Sequence, residues 1–248
     1  MKNGALKFMV ETTLKARIEP TYEPDLFCVN PQPPAVVVPA SSPLYKKRNR
    51  LFKRCLDLAF ATACLPPLLV MISFIALLVK FDSKGPVFFF QKRNKRNGKI
   101  FTCIKIRTMT VAGDERRITA LGQFLRKYHL DELPQLINVW WGDMSLIGPR
   151  PHMISDNQIF AGVVKNYHTR HTVKPGITGL AQILGHVGPV VEANDIIDRV
   201  SSDLQYIRQW SPMLDIRIIG HSFLRLTGMQ KLVSPQPSRR DLQVNSNT

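Results

Sequence analysis

The stretch from Leu58 to Val79 runs for 22 residues without a charge, and no other feature restricts this 248-residue chain as much. At helical rise it measures about 33 Å, close to the hydrocarbon thickness of a bilayer. Two facts argue against a simple span. Pro66 and Pro67 fall inside the run, where each removes a backbone donor and crowds the preceding turn. Both flanks are basic, with Lys46, Lys47, Arg48, Arg50, Lys53 and Arg54 before it and Lys80, Lys84, Lys92 and Arg93 after it. A spanning helix would leave one of these flanks on the wrong side. The pattern predicts a re-entrant helix over 55–80 that enters, breaks at Pro66 and Pro67 and returns to the same face. A kinked bitopic helix and a buried core helix are the alternatives.

Lys and Arg number 34 against 18 acidic residues, a formal net charge of +16, which favours polyanions: nucleic acid, anionic lipid or phosphorylated small molecules. No nucleic-acid-binding motif accompanies the charge, and a long apolar run is a poor companion for one, so nucleic acid is set aside as a partner. Cys28, Cys55, Cys64 and Cys103 show no Cys-x-x-Cys spacing and read as reduced thiols. Residues 1–50 are proline-dense with a basic end and read as a flexible tail. Their most apolar piece, Ala35 to Ala40, is too short for a secretory signal. Residues 229–248 read as a polar C-terminal tail.

Between the tails the pattern is α+β and mostly helical. Val87 to Gln91 and Ile100 to Ile106 form a predicted β-hairpin with Asn97 and Gly98 at its turn. Lys92, Arg93, Lys95, Arg96 and Lys99 make that loop basic, which suits anionic lipid. Lys105 and Arg107 share a face by the period of two, to meet one ligand or simply to face solvent. Leu121, Phe124, Leu125 and Tyr128 predict an amphipathic helix carrying Arg126. Leu133, Leu136, Ile137 and Trp140 predict a second, opened by Pro134 and closed by Gly142. Asp131 then sits at a helix start, where an aspartate needs no role beyond capping. Glu132 follows at once and cannot do the same job from the same direction. Ser211 and Pro212 open a last helix that suits the membrane interface or the core equally.

Taken together, "GPVFFFQKR", "FTCIKIRTM", "LDELPQLINVWWGDMSLIGPRP" and "YHTRHTVKPGITGLAQILG" resemble the bacterial sugar transferases, the monotopic polyprenyl-phosphate phosphoglycosyl transferases. The likeness covers roughly Phe52 to Leu226 and lies nearest the branch that uses UDP-glucose. It implies a monotopic domain on the cytoplasmic face of the bacterial inner membrane, anchored by a re-entrant helix. The implied reaction moves a sugar 1-phosphate from a UDP-sugar to undecaprenyl phosphate and starts exopolysaccharide or another surface glycan. The resemblance makes Asp131 the nucleophile, Glu132 its partner and a Mg²⁺ ligand, and Arg126 and Arg150 phosphate-binding groups. It matches Asp203, Tyr206 and Asp215 to family positions without assigning them a role. Galactose, an N-acetylated sugar or a catalytically silent membrane adaptor are the alternatives, and a homo-oligomer or other glycan-assembly proteins are candidate partners. One departure stands out: His186 and Val187 occupy positions where the family commonly carries an arginine.

Overall fold

The computed structural model describes residues 42–111, 117–188, 190 and 192–226. Most of the two predicted tails, and Cys28, lie outside the described residues. Ser42 to Arg50, read as tail, are instead ordered. Pro43–Tyr45 forms a 3-10 turn, Ser42 Oγ donates to the Ile207 carbonyl at 2.7 Å, and Leu44 is buried beside Ile207 and Trp210. Proline density misleads here, because a proline in the first turn is pre-organised for a tight helix.

Helix α1, Lys47–Asp82, has 36 residues. It is long and apolar enough to cross a membrane. Asp57, Ala61, Leu68, Ile72, Ile75 and Val79 are its buried positions, a single stripe at helical period. Its other faces stay bare: Val70 is 73%, Phe74 63% and Phe81 81% exposed. That distribution excludes the buried core helix, and an apolar surface of this extent requires an apolar cover. Where the sequence predicts two arms, one helical element continues through Pro66 and Pro67. The missing amides leave the Thr62 and Ala63 carbonyls without intrahelical donors, which is where such a helix bends.

Polar contacts tie both ends of α1 to the rest of the fold. Near the start, Lys53 pairs with Asp215 at 2.7 Å, and Arg54 donates to the Val139 and Trp140 carbonyls at 2.6 and 2.8 Å. Asp57 accepts from Ser145 Oγ and the Leu146 amide, both at 3.0 Å. At the far end, the Arg107 guanidinium donates to Ser83 Oγ at 2.7 Å and to the Ser83 carbonyl at 2.8 Å.

Strands β1 (Phe88–Asn94) and β2 (Ile100–Ile106) form the antiparallel hairpin. Asn97 and Gly98 take the left-handed conformation at its turn, with φ of 62° and 70°. Two of the loop's cations turn inward: Lys95 pairs with Asp143 at 2.6 Å, and Arg93 donates to the Pro151 carbonyl at 2.5 Å. Helix α2 (Ala120–Lys127) is capped by Thr119. Its predicted stripe divides, with Leu125 buried while Phe124 and Tyr128 are 53% and 42% exposed. Helix α3 (Gln135–Trp141) ends at Gly142, φ 92°. Asn138 on α3 holds β2 edge-on, accepting from the Ile104 amide at 3.1 Å and donating to the Thr102 carbonyl at 2.9 Å.

A second sheet, absent from the sequence reading, pairs β3 (Ser145–Ile147) with β4 (Gly176–Thr178) in parallel. Three-residue strands carry too little periodicity to detect. Backbones nearly touch beside this pair, since a Cβ on Gly176 would lie 2.1 Å from the Gly148 amide nitrogen. Helices α4 (Ile154–Val163), α5 (Leu180–Ile183), α6 (Ala193–Gln209) and α7 (Pro212–Leu226) complete the described residues. On α7 the core role holds for Ile218, while Met213, Ile216, Ile219 and Phe223 are exposed along one face. Among the described residues the architecture is therefore α+β, mostly helical, with two small sheets.

Family-matched residues near the C-terminus hold this packing together. Asp215 accepts from Tyr206 at 2.8 Å and Trp210 at 3.0 Å. Asp203 on α6 accepts from Arg170 Nε and Nη2 at 3.0 and 2.7 Å, with side chains only 3% and 1% exposed. Breaking such a buried pair from one side strands the other charge. Asp203→Asn is expected to lower unfolding free energy by about 3 kcal/mol in neutral detergent, read by urea denaturation; a loss under about 1 kcal/mol would remove this pair as a structural determinant.

Candidate active site

Asp131 and Glu132 lie in a 3-10 turn, Leu130–Glu132, entered through His129 at φ 55°. This corrects the expected helix-start position, because α3 begins only at Gln135 with Pro134 as its cap. The simple capping explanation for Asp131 thereby disappears. Both carboxylates are buried, at 9% and 7% exposure.

Glu132 is gripped from two sides. Arg150 donates Nη1 to Oε2 at 2.8 Å and Nη2 to Oε1, and Lys105 Nζ donates to Oε1 at 2.8 Å. Burial alone would push this carboxyl up, but the Arg150 guanidinium and the Lys105 ammonium hold it well below the usual carboxylate range. The adjacent Asp131 has no side-chain partner in any hydrogen bond or ion pair of the described residues. Its carboxyl is pushed up, first by burial and then by the negative Glu132, against the pull of Lys105 and Arg126. One acid is thus fixed and neutralised while its neighbour stays uncommitted.

The fold explains how these groups meet. Lys105 comes from β2, opposite Phe89. Arg150 follows β3 between two prolines, and its loop is held at two carbonyls: Arg170 Nη2 donates to that of Arg150 at 2.6 Å, and Arg93 to that of Pro151. Arg126 on α2 donates Nε to Thr108 Oγ1 at 2.8 Å, which α2 reaches because Gly122 rides directly on the Thr108 carbonyl. Arg107 is not brought in. Strand β2 ends at Ile106, so Arg107 leaves the shared face and spends its guanidinium on Ser83, Pro86 and Met109. Arg93 and Arg170 were missed as supports of Arg150, since contacts to Pro151 and Asp203, 58 and 33 positions away, leave no local trace.

The acids can serve a hard cation only in a limited way. Among the described residues no three His, Cys, Asp or Glu converge. With Oε1 of Glu132 taking two donors and Oε2 one, the chain offers the Asp131 carboxylate and one open lone pair. That set suits Mg²⁺, which keeps several waters and takes oxygens from a substrate's phosphates.

Burying beside another acid a carboxylate that has only its own backbone amide as a hydrogen-bond partner makes a stability prediction. The raised Asp131 pKa means that ionisation opposes folding above it. Asp131→Asn is therefore expected to raise Tm at neutral pH, with the gain shrinking as pH falls through the folded-state pKa toward the ordinary 3.8. Thermal scans across pH check this, and a variant less stable than the parent at pH 7 would contradict it.

The profile of the bacterial sugar transferase family matches residues 48–229. The UDP-glucose:undecaprenyl-phosphate glucose-1-phosphate transferase of Escherichia coli K12 is 43% identical over 69% of this chain and 39% of its own length. The exopolysaccharide production protein PSS of Rhizobium leguminosarum is 40% identical over 68% of this chain and 92% of its own. The UDP-N-acetylgalactosamine-undecaprenyl-phosphate N-acetylgalactosaminephosphotransferase of Aeromonas hydrophila is 35% identical over 72% and 43%. The chain thus spans less than half of the E. coli and Aeromonas relatives. With its acid pair, clamping cations and apolar helix nearly all inside the matched span, the chain belongs to the bacterial sugar transferase family.

Proposed function

We propose that this chain transfers a sugar 1-phosphate, glucose 1-phosphate in the first instance, from a UDP-sugar to undecaprenyl phosphate, initiating exopolysaccharide or another surface glycan. The observation that carries the proposal is the asymmetry of the acid pair: Glu132 bound by two cations, Asp131 buried with its carboxylate uncommitted. The relatives' names support the substrate classes, and the Aeromonas name keeps an N-acetylated donor as the second choice.

In this mechanism an Asp131 carboxylate oxygen attacks the sugar-bearing phosphorus of the donor. A bond forms from that oxygen to phosphorus as the diphosphate bridge breaks, and the bridging oxygen leaves with UMP. An oxygen of undecaprenyl phosphate then attacks the same phosphorus, forming the lipid diphosphate-sugar and returning Asp131 as a carboxylate. Splitting the displacement this way predicts ping-pong kinetics. Lys105, Arg150 and Arg126 offset the donor's charge near the attacking carboxylate, and the Pro149–Pro151 frame and the Arg170 bond pre-set the Arg150 fork. Mg²⁺, held by Asp131 and Glu132 oxygens, would supply further charge neutralisation on the diphosphate. The missing family arginine does not leave its turn without a cation, since Arg199 on α6 donates to the Gly188 carbonyl at 2.7 Å. That, with the intact acid pair, weighs against a silent adaptor.

The proposed setting is the cytoplasmic face of the bacterial inner membrane, with α1 re-entrant. A crossing helix would separate its two ends by a bilayer, yet Lys53, Arg54 and Ser83 all bond one and the same domain, and the stripe from Asp57 to Val79 packs on it throughout. The exposed apolar faces of α1, α2 and α7 support burial into one leaflet.

In membranes supplied with UDP-glucose, Mg²⁺ and undecaprenyl phosphate, UMP release is expected to fall at least about 1000-fold in Asp131→Asn and about 100-fold in Arg150→Lys, which loses the bidentate fork. Retention of a tenth or more of the activity by Asp131→Asn would sink the nucleophile assignment. Cysteine labels placed at either end of α1 should react from the cytoplasmic side alone; periplasmic reaction at one end would establish a span.

A further inference from the structure

A cavity of about 60 Å³ lies between the first turns of α1, the hairpin turn and the segment entering β4, and it shares no lining residue with the acid pair, Lys105 or Arg150. It has room for about four water-sized groups. Arg50, Lys53, Arg54, Arg96 and Lys174 line it, with Asp57 as the opposing carboxylate. These charges do not balance locally. Asp57 is committed to Ser145 and the Leu146 amide, and Lys53 is already neutralised by Asp215. Arg54 gives its donors to neutral carbonyls. Arg50, Arg96 and Lys174 have no acceptor among the described residues, although all three are half-buried.

The cations also crowd one another. Arg54 Nη2 and Lys174 Nζ each lie 3.3 Å from one point, where Gly142 would carry a Cβ. Burial and the Arg54 charge push the Lys174 ammonium down, and burial and Arg50 do the same to Arg96. Like charges held together out of bulk water are costly unless an anion joins them. Two guanidinium groups with planar forks and an ammonium, all without an acceptor among the described residues, are the donors that a tetrahedral oxyanion would take. Exposed Leu51 and Phe52 follow Arg50 directly in the chain, Arg54 bonds the carbonyl of exposed Trp140, and Trp141 is exposed as well; such tryptophans favour the headgroup level of a bilayer.

We propose that this cavity is a second anion site, separate from the acid pair, which binds the phosphate of an anionic lipid headgroup. Its lipid source rests on the membrane placement proposed above; its phosphate chemistry does not. The test uses the full chain in neutral detergent and reads thermal unfolding with added phosphatidylglycerol, phosphatidylcholine or inorganic phosphate at matched ionic strength. Phosphatidylglycerol is expected to raise Tm by about 5 °C. The gain should vanish in Arg96→Gln/Lys174→Gln and persist in Lys47→Gln/Arg48→Gln, which removes two exposed charges outside the cavity. Relief of repulsion should also leave the first variant at least as stable as the parent without lipid. Equal phosphatidylglycerol gains in both variants would overturn the site, and a gain from inorganic phosphate with none from phosphatidylglycerol would overturn the lipid assignment. Arg50→Gln is the second cavity variant should the double one fail to fold. Turnover is not part of the readout, so loss of the transfer reaction would leave this result standing.

Discussion

The grip of Arg150 and Lys105 on Glu132 is the interaction around which the site is arranged. The Glu132 side chain is only 9% exposed, and a carboxylate so far out of water is tolerable only when its donors meet it closely. That demand explains several otherwise unrelated features. Asn138 fixes the backbone of β2 so that Lys105 arrives at the right height. Glycines at 148 and 176 let two backbones approach so that the loop after β3 starts in the right place. The Asp203 to Arg170 pair then holds the Arg150 carbonyl, so that the far end of the guanidinium is aimed before any ligand arrives. Removing any of these would cost little in area, but would unsettle a buried charge.

Asp131 gains its character from that same grip. A neutralised Glu132 still repels a second ionised carboxylate, and burial adds to the penalty. The pair is therefore less stable than two well-partnered acids would be. A group held in this state is suited to meet a positively compensated phosphorus, and active sites commonly keep such poorly satisfied residues. Placement of this pair beside a helix with one face on the domain and the others bare is what the proposed meeting of a soluble donor and a lipid acceptor would require.

Much of this was legible locally. The hairpin, its Asn97 and Gly98 turn, both short amphipathic helices and the Ser211 cap follow from periodicity and turn chemistry. Asp131, Glu132 and Arg150 stood out as adjacent acids and a proline-framed arginine in a basic chain, but pattern alone left Asp131 open to a capping role, and the roles of all three came from the family resemblance. What escaped has a common cause. Arg107 left its expected face because a strand ended one residue earlier, and Arg170 and Arg93 act on Arg150 through contacts that only the folded chain creates. The parallel pair β3 and β4 is too short to announce itself, and the inward turn of Lys95 depends on where Asp143 happens to fall. The ordered start at Ser42 was hidden by a composition that resembles disorder.

The central claim is that Asp131 becomes covalently joined to the phosphosugar, and it is tested most directly by omitting the acceptor. Protein incubated with UDP-glucose and Mg²⁺ alone, quenched and digested, should yield a peptide carrying a hexose phosphate on Asp131 that disappears on adding undecaprenyl phosphate. A preparation that turns over with acceptor, yet never shows that adduct under single-turnover conditions, would contradict the account.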